Sequence, residues 1–527
     1  MNGLHVSCLL FHYKMKVYFY ILVILFSFLE LSAQLNPEPK KVTQLFFPDN
    51  ESIENVTPAL QKKRGFTDYD ELMSFLNTEK SKHADLVRVE FIGKSQKGYD
   101  IPIIYIHNQS SQKDKLKVWL QGGLHGNEPA STEGVLYLIY QLLNNADYSY
   151  LLDQLEFAIV PMANIDGYLK LDRYAANGLD LNRDQTKLMA PESVIIKQAY
   201  SNFNPEVALD FHEYNAYRRD FAKMGSFGIT SAYDVMFLYS SNLNVPDNIR
   251  TVIDTLFVES ARKTMDNNNL RHHDYMSTGT YSGDIHFNMG STNARSSATN
   301  FALTNTISAL IEVRGVNLGR NSFKRRINTT FLVGMACIET AYNHAELIKN
   351  TIQTATQPAN NVTVTSKQKV YQKDISVIDL DSYELTDMTV TVRDSKQSAA
   401  TLIRDTPEAY IILPEQKDLI EKLKVLGVAV ETLEAPTVLT VESYLVSSYS
   451  RDETTYEKMN LQTVEATVVE KEMTFPAGSF KISTHQKNVG LVYEILEPEA
   501  PNSVVSFGVL KTELNQELPI YRLSKTN

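Results

Sequence analysis

Between Lys117 and Leu142 the chain passes from an apolar strand pattern, KVWLQ, through the glycine-containing turn Gly122–Gly126 into a helical pattern carrying Val135, Leu138, Ile139 and Leu142. An uninterrupted apolar strand has to be covered on both faces, and a helix that follows it directly supplies one cover. The alternation recurs along the first two thirds of the chain. Strand patterns are read at Leu86–Ile92, Ile101–Ile106, Phe157–Met162, Val207–Phe211 and Ala309–Val313, and helical spacing at Asp68–Leu76 with Thr67 available as a cap. Strands interleaved with helices predict an α/β fold with a mixed, largely parallel sheet flanked by helices.

From residue 362 the texture changes. Short β-branched runs, VTVT (362–365), MTVTV (388–392) and TVLTVESYLV (437–446), are separated by polar turns and interrupted by one helical segment, Lys417–Leu426. These runs predict a smaller β-rich domain, sandwich-like, after the α/β part. With 527 residues the chain is long enough for more than one folded unit. The organisation read from the sequence is residues 1–33 as signal peptide, 34–64 as linker, 65–352 as the α/β domain and 362–527 as the β-rich domain. The signal reading rests on Lys14 and Lys16 ahead of the apolar run Val17–Leu29, closed by Ser32 and Ala33, with Met15 an alternative start. That run is shorter than the roughly 20 residues a membrane span needs, so the expectation is an exported protein, periplasmic or secreted, without a stable span once the signal is removed. A net charge of −11 argues against a nucleic-acid partner. Cys8 falls in the signal, which leaves Cys337, on helical spacing, as a buried small hydrophobe. Nothing in the sequence fixes the oligomeric state.

Polar groups gather where the predicted strands end, the edge at which open α/β sheets bind ligands. LHGNE places His125 and Glu128 just after KVWLQ, and DFHE places His212 at the end of VALDF. Two imidazoles and one carboxylate on one ion leave the fourth position of a zinc site open for water, though copper and cobalt also suit such donors. Each signal is weak alone. A His-x-x-Glu pattern is common, a lone histidine such as His212 is more often a hydrogen-bonding partner, and Ala216 rules out His-Glu-x-x-His across Glu213. The pair His272–His273 lacks a carboxylate at ligand spacing and is read as solvated surface. Glu312 ends an apolar strand, where a carboxylate needs either a partner or a function. Arg314, two residues on and therefore on the same face, is the partner that would make it structural.

Taken in order, these motifs resemble the zinc carboxypeptidases of the M14 type. DYDELMSFL and VEFIGKSQKGYDIPIIYI look like that family's opening helix and strand pair, and LHGNE like its metal motif. NIDGY is similar to its Asn-Pro-Asp-Gly turn, with Ile165 in place of proline. DRYAANGLDLNRD, DFHE and ALIEVRG complete the series over about residues 65–350. The resemblance implies one zinc ion held by His125, Glu128 and His212. It implies Glu312 as general base toward a metal-activated water, Arg173 stabilising the oxyanion, and Asn182 with Arg183 holding the terminal carboxylate of a peptide. A guanidinium fork suits that last task, although an ion pair of Arg183 with Asp180 or Asp184 would serve structure instead. The mobile tyrosine of better-known members has no clear counterpart, and Tyr275, Tyr281 and Arg295 all stay open for it. RDTPEAYIILPEQKDLIEKLKVLGV, FPAGSFKISTHQ and ELPIYRL resemble the C-terminal extension of large exported bacterial members.

Three activities fit this reading. The first is removal of C-terminal residues from peptides. The second keeps the metal site but hydrolyses cell-wall stem peptides or acylated amino acids. The third is a peptide-binding protein without turnover, against which stands the presence of His125, Glu128, His212 and Glu312 together.

Overall fold

The computed structural model describes residues 38–524, so the segment read as a signal peptide, with Cys8 and Met15, lies outside the described residues. In chain order the first strands are β1 (Val87–Lys94), β2 (Asp100–Ile106), β3 (Leu116–Gly122), β4 (Leu155–Val160), β5 (Val207–Tyr214), β6 (Ile229–Ser231), β7 (Val235–Leu238), β8 (His272–Asp274), β9 (Met276–Tyr281), β10 (Asp284–Met289) and β11 (Ile307–Arg314). Eight of them form the central sheet in the order β1-β2-β4-β3-β5-β11-β7-β8. The middle four, β4, β3, β5 and β11, are parallel, and antiparallel partners flank them at β2 and β7. This is the mixed, largely parallel sheet that the sequence predicts. Val118, Trp119 and Leu120 of β3 have no exposed surface, and every residue of β5 and β11 is buried. The helix Pro129–Asn144 follows β3 with proline at its first turn, where the missing N–H costs nothing.

The helix expected at Asp68–Leu76 runs Tyr69–Lys82, and its cap is Asp68 rather than Thr67. Asp68 accepts from the Glu71 N–H while the Glu71 carboxylate accepts from the Asp68 N–H. Thr67 instead donates to the buried Glu133 at 2.5 Å. Thr57 and the Ala59 N–H reach the same carboxylate, so much of the stretch read as a linker is tied to the helix after β3. His272 and His273 are half-buried on β8, an edge strand of the central sheet, and not the solvated surface that the sequence suggests; the ring of His273 lies 4.8 Å from that of Tyr233. Cys337 is buried in the helix Phe323–Asn343, and burial pushes its thiol up to about 12.

The remaining strands are β12 (Asn361–Asp379), β13 (Leu385–Asp405), β14 (Ala409–Ile412), β15 (Glu431–Thr432), β16 (Thr437–Tyr456), β17 (Met459–Phe475), β18 (Phe480–Ser483) and β19 (Glu517–Leu523). The β-rich part is present, and two long hairpins, β12/β13 and β16/β17, dominate it. The first joins a five-stranded sheet, β6-β12-β13-β10-β9, through β6 and β10. The second lies at one side of a six-stranded sheet, β15-β18-β14-β19-β16-β17. Alternation marks a strand but not its partner, so residues far apart in sequence pair here without a local signal. One apolar core runs from Leu72 to Ile520 and takes in Tyr444 and Val446 of β16. Among the described residues no helix is long and apolar enough to cross a membrane.

Candidate active site

His125 and Glu128 lie in the turn between β3 and the helix Pro129–Asn144. Gly126 is required there. A Cβ at that position would sit 2.1 Å from the Gly167 backbone, because the LHGNE turn packs directly on the NIDGY turn. Asn164 holds the NIDGY turn by accepting from the Gly167 N–H at 3.0 Å and donating to the Arg173 carbonyl at 3.4 Å. His212 lies on β5 and Glu312 on β11. Parallel register pairs these two residues directly, so both side chains leave the same face of the sheet.

The three expected ligands converge. His125, Glu128 and His212 are buried and offer ligand atoms within 4.8 Å of one another. Nδ1 of His125 lies 2.7 Å from Glu128 Oε1, Nδ1 of His212 lies 2.8 Å from Glu128 Oε2, and the two Nδ1 atoms are 3.0 Å apart. Behind each imidazole stands a second carboxylate. His125 Nε2 faces Asp180 at 3.1 Å and His212 Nε2 faces Asp210 at 3.0 Å. A carboxylate at Nε2 fixes the proton there and turns the Nδ1 lone pair inward. Two imidazole lone pairs and a carboxylate pointed at one another repel unless a cation lies among them. The donor set therefore fits zinc, with borderline nitrogen ligands, one oxygen ligand and each histidine oriented from behind. Burial opposes charging His212, yet Asp210 and Glu128 outweigh it and hold its pKa well above the imidazole range.

The other expected residues open onto one cavity of about 940 Å³, lined by Arg173, Asn182, Arg183 and Glu312 and also by Tyr275, Tyr281 and Arg295. Arg173 binds Asp180 at 2.9 Å and lies 3.6 Å from Glu128. Arg183 makes no ion pair among the described residues. It donates to the Asn182 carbonyl at 2.8 Å, and Asp180 and Asp184 are engaged elsewhere. The Asn182 side chain accepts from the Ser297 N–H at 2.8 Å. Glu312 accepts no hydrogen bond from a described residue. Arg314, its suggested partner, instead lays its guanidinium 4.0 Å over the Phe47 ring and donates to Thr230. Burial raises Glu312 to about 7 against the pull of His212. Tyr275 is pushed up to about 12 by burial and by Glu312, whereas Tyr281 is tied to Asn288 at 2.7 Å.

Sequence reasoning missed the oriented carboxylates. Asp210 is two residues before His212 on one strand, so period-two alternation puts both on one face and contained the signal. Asp180 entered only as a partner for Arg183, and no spacing rule links it to His125, 55 residues away.

Three convergent ligand atoms beside an unpaired carboxylate, with guanidinium groups open to the same cavity, define a metallohydrolase of the α/β class. The profile of the zinc carboxypeptidase family matches residues 72–317. Carboxypeptidase 2 of Trichophyton equinum is 31% identical over 441 residues, which is 82% of this chain and 81% of that protein. Carboxypeptidase 2 of Trichophyton rubrum matches at the same identity and over the same shares. Among solved structures, a metallo-carboxypeptidase from Burkholderia cenocepacia aligns with 54% of this chain and 70% of that one, at 17% identity and a TM-score of 0.41. The chain belongs to the zinc carboxypeptidase family. It is a metallocarboxypeptidase, a zinc-dependent class of hydrolase that acts on peptides.

Proposed function

We propose that the enzyme removes residues from the C-terminus of peptides, with one zinc ion held by His125, Glu128 and His212, Glu312 as general base, Arg173 as oxyanion donor, and Asn182 and Arg183 as the grip on the terminal carboxylate. The observation that carries this reading is the position of Glu312 beside His212 in strand register, with its carboxylate unpaired and open to the cavity that Arg183 also faces. Zinc held by the triad would supply Lewis acidity, lowering the pKa of a water molecule and polarising a carbonyl. Glu312 takes the proton of the attacking water and passes it to the departing amine. Asp180 fixes the orientation of Arg173, so a positive charge already stands where negative charge develops. An internal peptide bond offers no carboxylate to Arg183, which restricts cleavage to the chain end.

In this reading residues 65–352 are the catalytic domain, and the region from 362 onward walls and braces its cleft. The protein works outside the cytoplasm, periplasmic or secreted, after loss of the first 33 residues, which N-terminal sequencing of the mature protein checks. The deciding experiment measures metal content and hydrolysis of a mixed peptide library before and after chelation. About one zinc per chain with chelation-sensitive trimming of single C-terminal residues supports the proposal. Zinc with turnover only of cell-wall stem peptides or acylated amino acids overturns the substrate, and a chain that binds peptide without turnover overturns the activity.

A further inference from the structure

Arg295 is a guanidinium fixed in the substrate cavity without an ion pair among the described residues, although Asp180 and Glu457 lie close enough to act on its charge. Its backbone is held on both sides: its N–H donates to Asn502 Oδ1 at 3.1 Å, and its carbonyl accepts from the Gln185 N–H at 3.3 Å. Its side chain packs against the Tyr456 ring, 5.0 Å from the centroid, at the end of β16. Among the described residues the guanidinium has no ion pair, and its Nε is buried without any hydrogen-bond partner. A desolvated cation costs stability unless an anion answers it. Burial lowers its pKa and the neighbouring Arg183 adds to that effect, against the opposing pull of Tyr456, Asp180 and Glu457.

Among the side chains that line the cavity, arginines and lysines outnumber carboxylates. Its lining carboxylates are Glu128, Glu213 and Glu312. Glu128 faces the two histidines, Glu213 is bound to Arg326 at 2.5 Å, and Glu312 stands at the metal end. The same lining carries Arg218, Lys367 and Arg393 in addition to Arg183 and Arg295. Arg218 already has a partner in Asp220 at 3.2 Å. Arg183 accounts for one carboxylate of a bound peptide end, and Arg295 provides for a second. A lysine or arginine at the peptide terminus would find no carboxylate in the lining beyond Glu128, Glu213 and Glu312.

We infer that the enzyme prefers peptides ending in an acidic residue, aspartate or glutamate, and that Arg295, set in place by Tyr456 and Asn502, is the specificity-determining residue that receives the side-chain carboxylate. This rests on the reading of the cavity as the binding site of a C-terminal peptidase. A guanidinium fork matches a carboxylate through two hydrogen bonds, which a neutral amide of the same shape cannot reproduce. Glutamate and glutamine at the terminus therefore differ in the one interaction that matters.

The test is binding of two peptides, identical except for terminal glutamate or glutamine, to the zinc-loaded Glu312→Gln enzyme by calorimetry. Binding of the glutamate peptide should be tighter by roughly 10- to 100-fold. Arg295→Met should bring the ratio of the two dissociation constants to about 1, and Arg295→Lys should leave it in between. Equal weakening of both peptides by Arg295→Met would mean that Arg295 and Arg183 share one terminal carboxylate, and would overturn the inference. So would the absence of any preference in the parent. If the methionine variant does not fold, the lysine variant decides: an unchanged ratio counts against the inference and a reduced one for it. Turnover by the unmutated enzyme is measured separately. Discrimination in binding with no hydrolysis of any peptide would sink the proposed activity and leave Arg295 standing.

Discussion

Glu457 accepts a hydrogen bond from the backbone N–H of Asp180 at 2.9 Å, across 277 residues of sequence. Asp180 in turn faces His125 and binds Arg173, so the tip of the β16/β17 hairpin braces the carboxylate that orients both. Lys458, its neighbour in the two-residue turn, donates to the Asn177 carbonyl on the same loop. Glu457 and Lys458 both have left-handed backbone, at φ 47° and 62°. Such a turn favours Asn-Gly, and each side chain held there costs roughly 1–2 kcal/mol. Replacing the pair by Glu457→Asn with Lys458→Gly should raise the melting temperature yet lower kcat/KM about 5- to 10-fold, since Asp180 loses one hydrogen bond. Thermal melts and steady-state kinetics on the same preparation check this. Full activity in the stabilised variant would show that the contact does not matter.

Metal removal should abolish hydrolysis and lower the melting temperature together. A ligand that binds only the folded state stabilises it by about 4 kcal/mol when present at a thousand times its dissociation constant. His125→Ala and His212→Ala should lack both the metal and the stabilisation. Because Asp210 and Glu128 hold the His212 pKa high, zinc must displace a proton there, and its apparent affinity should fall as pH drops. Zinc affinity that stays flat between pH 8 and 5.5 would count against His212 as a ligand.

Glu312, Arg173 and Arg183 should fail in different ways. Glu312→Gln should retain zinc and bind peptide while turnover falls by roughly 10²–10⁴. Arg173→Met should cost roughly 10²–10³ in turnover, as loss of an oxyanion donor does. Arg183→Ala should act mainly on KM, because its target is the ground-state carboxylate. Zinc analysis, peptide binding and kinetics on the three variants separate the roles. A drop in kcat alone for Arg183→Ala would contradict its assignment.

The sequence carried the sheet and the candidate metal site because both rest on short-range rules. KVWLQ followed by LHGNE puts a ligand pair at a strand end, and DFHE and ALIEV do the same for His212 and Glu312. Their meeting follows from two parallel strands in register. The cleft wall was not legible. Arg393 reaches the cavity because β13 pairs with β10, Lys367 because β12 pairs with β13, and Tyr456 reaches Arg295 because a long hairpin folds back over the loop after Arg173. Alternating residues announce strands of that kind without naming their neighbours. His272 and His273 were misread for a related reason: an edge strand of three residues is too short for its period to register.

A last prediction concerns stability. Glu494 is buried in the helix Val489–Leu496, and its Oε1 accepts from Asn242 at 2.7 Å and from Asn244 at 2.9 Å. Those two donors favour the carboxylate, but burial outweighs them and raises its pKa from 4.5 to about 7. Between these values the folded protein keeps the proton that the unfolded chain releases, so the contribution of Glu494 is complete below pH 4.5 and is lost as pH rises through 7. The loss amounts to something on the order of 3 kcal/mol at pH 8. Glu494→Gln carries no such titration. The variant should therefore match the parent at pH 4.5 and exceed it at pH 8, with chemical denaturation at both pH values giving the difference. If the gap between variant and parent does not widen from pH 4.5 to 8, Glu494 is ionised in the folded protein across that range.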